Sequence, residues 1–153
     1  MFEKVLLTTD GSRFAEDAAK VAIGLAKKCE AEVRVVTVVE HPPYYGTPEA
    51  SALYDAELYR SLSAELEKLG QEAVDRLTQI VQDAGLTATG VVRRGAPADE
   101  IVAEAAEWNA GCVVVSTHGR TGLARLVLGS VANQIVNHAP CPVMLYRVKK
   151  DED

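Results

Sequence analysis

Two stretches of the chain hold residue types and spacings that could do chemistry. The first is Thr8-Thr9-Asp10-Gly11-Ser12, which directly follows the apolar run Val5-Leu6-Leu7. A carboxylate at the end of a strand can accept hydrogen bonds from a ribose hydroxyl, or approach a metal ion held by phosphates. The same group serves as a helix cap, with Asp10 or Ser12 as the capping residue. The second stretch runs from Ser116 to Ser130 and contains Gly119, Gly122 and Gly129. Glycines let a backbone approach phosphate oxygens closely, and a helix starting at Ser130-Val131 would offer N–H donors and the positive end of its dipole. The Ser130 hydroxyl can add a donor, and Arg120 or Arg125 local positive charge. The plainer reading is a glycine-rich connection with Ser130 as an N-capping serine. Spacing alone does not separate the two.

These residues need a scaffold, and the remaining sequence supplies one. Short β-branched runs alternate with segments of helical period: strand Val5–Leu7, helix Arg13–Lys28 and strand Glu32–Val39, then a proline-containing loop from His41 to Pro48. A long helix is expected from about Glu49 to Ala84. Its apolar stripe is Leu58, Leu62, Leu66, Leu69, Ala73, Leu77, Ile80 and Ala84, read as core or interface, with Gly70 as a weak point and Gly85 as the stop. Strand Thr87–Val92 follows, then a helix opened by Gly95-Ala96-Pro97 with Ile101, Ala105 and Trp108 on one face. Strand Cys112–Val115, a helix from Ser130 to His138 stopped by Pro140 and Pro142, and strand Val143–Val148 complete the order. Five strands alternating with four helices predict an α/β fold: one open, twisted, five-stranded parallel sheet with helices on both faces. Residues 1–148 form the single expected domain, and 149–153 a charged tail. In such sheets ligands gather at the carboxyl ends of the strands, near the point where strand order reverses.

Composition narrows the function classes. With 16 basic against 22 acidic residues the net charge is −6, which disfavours a nucleic-acid-binding role. No apolar run approaches the roughly 20 residues of a membrane helix, and the start of the chain does not read as a signal peptide. The three cysteines, Cys29, Cys112 and Cys141, form no metal-binding or CxxC pattern; Cys112 and Cys141 read as buried free thiols. A soluble cytoplasmic protein is the expectation. His41 and His138 are expected to be structural or solvent-facing. Tyr44, Tyr45, Tyr54 and Tyr59 cluster around the long loop, either over a pocket or dimer contact or in plain packing. There is no GxxxxGK[ST], no GxGxxG after the first strand, and no second histidine after His118-Gly119 to make an HxGH signature. No Ser or Cys with a base and a carboxylate is recognisable, so no catalytic residue is assigned.

Val5 to Ser12, Gly95-Ala96-Pro97, Thr117-His118-Gly119-Arg120-Thr121-Gly122, Gly129-Ser130-Val131 and Pro140-Cys141-Pro142-Val143 together resemble the universal stress protein family, over essentially the whole chain. Its ATP-binding branch carries glycine, two residues, glycine, nine residues, glycine, then serine or threonine. Gly119 and Gly129-Ser130 match that pattern, while Ser116 stands at its first glycine. The resemblance implies a Rossmann-like fold of the adenine nucleotide alpha hydrolase kind. It implies Thr8, Thr9 and Asp10 beside the adenosine, with Val38 lining the adenine pocket through its backbone. Ser116, His118, Gly119 and Arg120 would surround ribose and phosphates, and Gly129, Ser130 and Val131 would hold phosphates at the helix start. ATP or another adenine nucleotide is the implied ligand. Mg²⁺ or Mn²⁺ would bridge phosphate oxygens, with Asp10 as a possible contact through them. A homodimer through strand 143–148 is implied too, and that strand's apolar edge gives pairing a physical motive. The expected role is a nucleotide-dependent stress regulator. Slow metal-dependent ATP hydrolysis or phosphotransfer, and a nucleotide-free dimer acting through protein partners, are the alternatives.

Overall fold

The structure is a computed structural model that describes residues 1–41, 52–117 and 128–147, with side chains for all of these except 52–55. Its elements are β1 (Lys4–Thr8), α1 (Arg13–Cys29), β2 (Glu32–Val39), α2 (Ala52–Asp83), β3 (Ala88–Arg94), α3 (Pro97–Glu107), β4 (Cys112–Ser116), α4 (Ser130–His138) and β5 (Val143–Tyr146). The strands form one parallel sheet in the order β3-β2-β1-β4-β5. The expected α/β fold is the one observed.

Side chains alternate across each strand, and both faces are covered. Val5, Leu7, Val33, Val35, Cys112 and Val114 pack with α1 and α2, while Leu6, Val36, Val113 and Val115 pack with α3 and α4. Helix α1 approaches the sheet on Ala15, Ala18, Ala19, Ala22 and Ala26, a face of small residues. It begins at Ser12, whose hydroxyl accepts from the Ala15 N–H at 3.4 Å, and ends at Glu30 in a left-handed conformation.

Four expectations change or sharpen. The leucine stripe of α2 is not one core seam: the buried face is Gly70, Ala73, Val74, Leu77 and Val81, while Leu58, Leu62 and Leu69 are 53%, 47% and 45% exposed. The sheet meets only the second half of the helix, so apolarity further up has no strand beneath it. Gly70 is no weak point either. The helix continues through it, and a Cβ there would lie 2.8 Å from Val39 Cγ2, so the glycine sets how closely α2 approaches β2. The last strand ends at Tyr146, short of the expected Val148, which lies outside the described residues. Of the two thiols read as buried, Cys112 is buried and Cys141 half-buried; burial pushes both above the ordinary thiol range, so neither is activated. His41 and His138 are exposed, as expected.

On the outer half of the α3 face lies a charge network. Glu104 is 4% exposed and accepts from Arg34 Nη1 of β2 at 2.8 Å and from Arg93 Nη1 of β3 at 2.7 Å. Arg93 also donates to Glu100 at 2.7 Å and Glu107 at 2.9 Å, and Arg34 stacks on the Trp108 ring at 4.5 Å. The Arg93 guanidinium, first by hydrogen bonding and then by its charge, holds the Glu107 carboxyl below its ordinary value. A depressed carboxyl stabilises the fold fully above its unfolded value and loses that contribution as pH falls through the folded one. Glu107→Gln is therefore expected to flatten part of the acid limb below about pH 4.5 while leaving the neutral-pH slope unchanged. Urea melts at stepped pH read this directly; an unaltered acid limb would refute it.

Candidate functional site

The strand order reverses direction at β1, which has β2 on one side and β4 on the other, so the carboxyl end of β1 is the crevice such sheets use. Alternate residues of a parallel strand turn both N–H and C=O toward the same neighbour. Thr9 N–H donates to the Val36 carbonyl at 2.9 Å, and Gly95 N–H to that of Val39 at 3.2 Å. Even-numbered residues of β2 therefore face β1 and odd-numbered ones face β3. Ladder pairing between β1 and β2 ends at Thr8 and Val36, so Val38, two residues further on, turns its N–H and C=O into the space above the end of β1. Strand β4 does the same from the other side. Val113 donates to Pro142 and Thr117 to Tyr146, at 2.9 and 3.0 Å, so odd residues face β5. Pairing of β1 with β4 ends at Leu7 and Val114, leaving the Ser116 backbone turned toward the crevice.

The floor is the turn from Thr8 to Ser12. Thr8 Oγ1 donates to the Val114 carbonyl at 3.4 Å, and the Thr9 carbonyl accepts from Thr37 Oγ1 at 2.7 Å. Thr9 Oγ1 accepts from Gly11 N–H at 3.1 Å, and Asp10 Oδ1 accepts from Ser12 N–H at 2.9 Å. Gly11, at φ +80°, supplies the conformation that carries the chain from strand to helix. Of the roles considered for this turn, the capping one is present in its geometry: Ser12 caps α1, while Asp10, half-buried, accepts within the turn.

The fourth side is the start of α4. Ser130 is its first residue and not its cap; the capping position belongs to Gly129, which makes no side-chain hydrogen bond. Here the capping role considered for Ser130 does not hold, because a residue already inside the helix cannot reach forward to its own first turn. Among the described residues, a Cβ on Gly129 would meet the Thr117 carbonyl at 3.5 Å, an ordinary contact. Ser130 is exposed and Val131 half-buried. Thr8, Thr9, Asp10, Val38, Ser116, Gly129, Ser130 and Val131 converge on this end of the sheet. His118, Gly119 and Arg120 lie outside the described residues, as do Tyr44 and Tyr45 and the Tyr54 side chain; Tyr59 hydroxyl lies 3.4 Å from His41 Nδ1. Among the described residues no cluster of three or more His, Cys, Asp or Glu side chains could hold a metal ion, and no helix is long and apolar enough to cross a membrane.

Sequence reasoning missed one participant. Arg76 of α2 reaches across to α1 and to the turn before it: its Nη2 donates to the Gly11 carbonyl at 3.3 Å and its Nε lies 3.0 Å from Glu16 Oε1. No local pattern announces a contact over 65 residues.

A parallel sheet covered on both faces, with its strand order reversing at β1, defines an open α/β protein. This chain belongs to the universal stress protein family, whose model matches residues 1–147. It is 35% identical to universal stress protein MJ0531 of Methanocaldococcus jannaschii over 152 residues, covering 99% of this chain and 86% of that one. Among solved structures it is similar in fold to universal stress protein UspA from Lactobacillus plantarum, with TM-score 0.82, 24% identity and coverage of 95% and 98%. It shares the fold also with a universal stress protein in complex with cAMP (TM-score 0.67, 21% identity, coverage 97% and 98%). Another is the Archaeoglobus fulgidus protein in complex with dAMP (TM-score 0.63, 21% identity, coverage 95% and 97%).

Proposed function

We propose that the chain binds an adenine nucleotide in the crevice above β1 and acts as a nucleotide-dependent regulator. The observation that carries this reading is the pair of backbone groups on Val38, a donor and an acceptor on one residue turned into the crevice. Adenine presents the complementary pair, an acceptor ring nitrogen beside a donor amino group, so one residue's main chain is enough to select it. Asp10 below would accept from ribose hydroxyls. Gly129, Ser130 and Val131 would receive phosphates, where open N–H groups and the helix dipole favour negative charge. The fit at that end rests on Gly129, where a Cβ would meet no described residue closer than the Thr117 carbonyl at 3.5 Å. His118, Gly119 and Arg120 are proposed partners of ribose and phosphates. Complexes of two family members with cAMP and dAMP support the ligand class.

A divalent cation, Mg²⁺ or Mn²⁺, would neutralise phosphate charge, held by the nucleotide's own oxygens with Asp10 as the nearest protein carboxylate. Homodimerisation through β5 belongs to the same reading: β5 is an edge strand with Leu145 39% exposed, and Val136 of the neighbouring α4 is 43% exposed. The alternative is a nucleotide-free regulator, favoured by the side chain Ser116 brings to the crevice wall. Calorimetry with ATP, AMP and cAMP, each with and without Mg²⁺, separates them. Binding at submillimolar ligand is expected, weakened about tenfold in Asp10→Ala, the loss of one charge-assisted hydrogen bond. Absence of heat with all three nucleotides at millimolar concentration would exclude the nucleotide reading. Recovery of binding only in Ser116→Gly would show that the serine closes the site.

A further inference from the structure

We infer that Arg76 is a positioning residue for the Asp10 turn, through which α2 is coupled to the crevice. The inference rests on the nucleotide reading for its functional consequence, but the geometry stands without it.

The turn from Thr9 to Ser12 is held internally by two short-range hydrogen bonds, Gly11 N–H to Thr9 Oγ1 and Ser12 N–H to Asp10 Oδ1. Such local bonds shape a turn but do not fix where it sits relative to the sheet. That placement comes from outside. On the β2 side, Thr9 is held at both its N–H, by the Val36 carbonyl, and its carbonyl, by Thr37 Oγ1. On the other side of Asp10, the Gly11 carbonyl is held by Arg76. Asp10 thus lies between a residue anchored to β2 and one anchored to α2. Gly11 is the residue with the most backbone freedom in the turn, and it carries the Arg76 contact.

The guanidinium suits this task because it uses two edges at once. Its Nε engages Glu16 in the first turn of α1 while its Nη2 reaches the Gly11 carbonyl, so turn and helix start are held as one unit. A lysine could make either contact but not both in this fixed geometry. Arg76 is 52% exposed and its ion pair with Glu16 lies at the surface, so its contribution to global stability is small. Its effect is to be sought in the placement of Asp10. By linkage, whatever binds at Asp10 and tightens the turn must also favour the α2 position that Arg76 requires.

The test uses Arg76→Met, which keeps an unbranched apolar stem, with Arg76→Lys and Glu16→Gln as companions. Amide hydrogen exchange on the ligand-free protein is the first readout. Arg76→Met should speed exchange at Gly11 and Ser12 several-fold while the middle of α1, Ala18 to Ala26, keeps its wild-type protection. Glu16→Gln, which spares the carbonyl contact, should change these amides by less than twofold. ATP titration is the second readout. Arg76→Met should weaken affinity about threefold to tenfold with the melting temperature nearly unchanged, Arg76→Lys should recover only part, and Glu16→Gln should stay within twofold. Wild-type exchange at Gly11 and Ser12 in Arg76→Met would overturn the inference, as would loosening spread evenly over all of α1. Should the turn loosen locally while wild-type protein binds no nucleotide, the positioning role stands and the nucleotide reading fails.

Discussion

Glu104→Ala is expected to lower stability by about 3 kcal/mol, the order measured when one partner of a buried ion pair is removed. Glu104 sits almost wholly out of solvent between two guanidinium groups, Arg34 at 2.8 Å and Arg93 at 2.7 Å. Removing it leaves both cations partly buried, their side chains 30% and 20% exposed, with fewer partners. Arg93 keeps Glu100 and Glu107, so its loss is partial. Arg34 keeps the face of Trp108 and a 3.4 Å contact from its Nε to Thr89 Oγ1, neither of which replaces the lost carboxylate charge. For a chain of this length the change corresponds to a fall in melting temperature of roughly 6–12 °C. Replacing Arg34 by Met in the same protein should cost less than the sum of the single changes, because the second substitution removes a charge the first stranded. A loss below about 1 kcal/mol in Glu104→Ala would mean that water reaches the network and already screens it.

Gly90→Ala is the second large effect, expected at about 2 kcal/mol, within the range for overpacking, because the added Cβ would strike a fully buried side chain although Gly90 itself is exposed. Gly90 lies in β3 beneath α2, and a Cβ there would fall 2.2 Å from Val74 Cγ1 and 2.9 Å from Thr78 Oγ1. Val74 is fully buried, so it cannot swing into solvent to make room. Alanine has the better intrinsic strand propensity, so propensity alone gives the opposite sign. The physical question is therefore decided by packing. Val74→Ala by itself opens a small cavity and should also destabilise. The double variant Gly90→Ala with Val74→Ala should be more stable than the sum of the two single losses by at least 1 kcal/mol, since one change makes the space the other fills. Strict additivity in denaturant titrations would show that Gly90 is not the point where α2 rests on the sheet.

Both effects depend on contacts between elements far apart in sequence, and this separates what could be read in advance from what could not. Strands such as Val5-Leu6-Leu7 and Cys112 to Val115 were legible because apolar residues on both sides of a strand leave few alternatives to a parallel sheet covered on both faces. Asp10 and Gly129 were legible as site candidates because a carboxylate at a strand end, or a glycine at a helix start, is a local pattern with a local consequence. The acidic spacing of Glu100, Glu104 and Glu107 on α3 could also have been noticed, but it reads as a solvated face until Arg34 and Arg93 are brought beneath it. The α2 stripe, expected to be core or interface, divides for the same reason, with Ala73 and Leu77 in the core and Leu58, Leu62 and Leu69 exposed. Helical periodicity says which residues share a face, whereas burial needs a partner surface, and the sheet ends below Leu69.

The segment from Ser116 to Ser130 and the Asp10 turn were visible in the sequence as two separate pieces of chemistry. Order along the chain determined the fold class, the parallel arrangement and the family, because these follow from hydrophobic period and short motifs. Tertiary structure alone decided that β2 and β4 run on beyond their last pairs with β1, which turns the Val38 and Ser116 backbones toward one crevice. It alone placed Arg76 on the Gly11 carbonyl, and it moved the helix cap from Ser130 to Gly129. Register between strands and the reach of a side chain across 65 residues are properties of packing in three dimensions, and no local pattern encodes them.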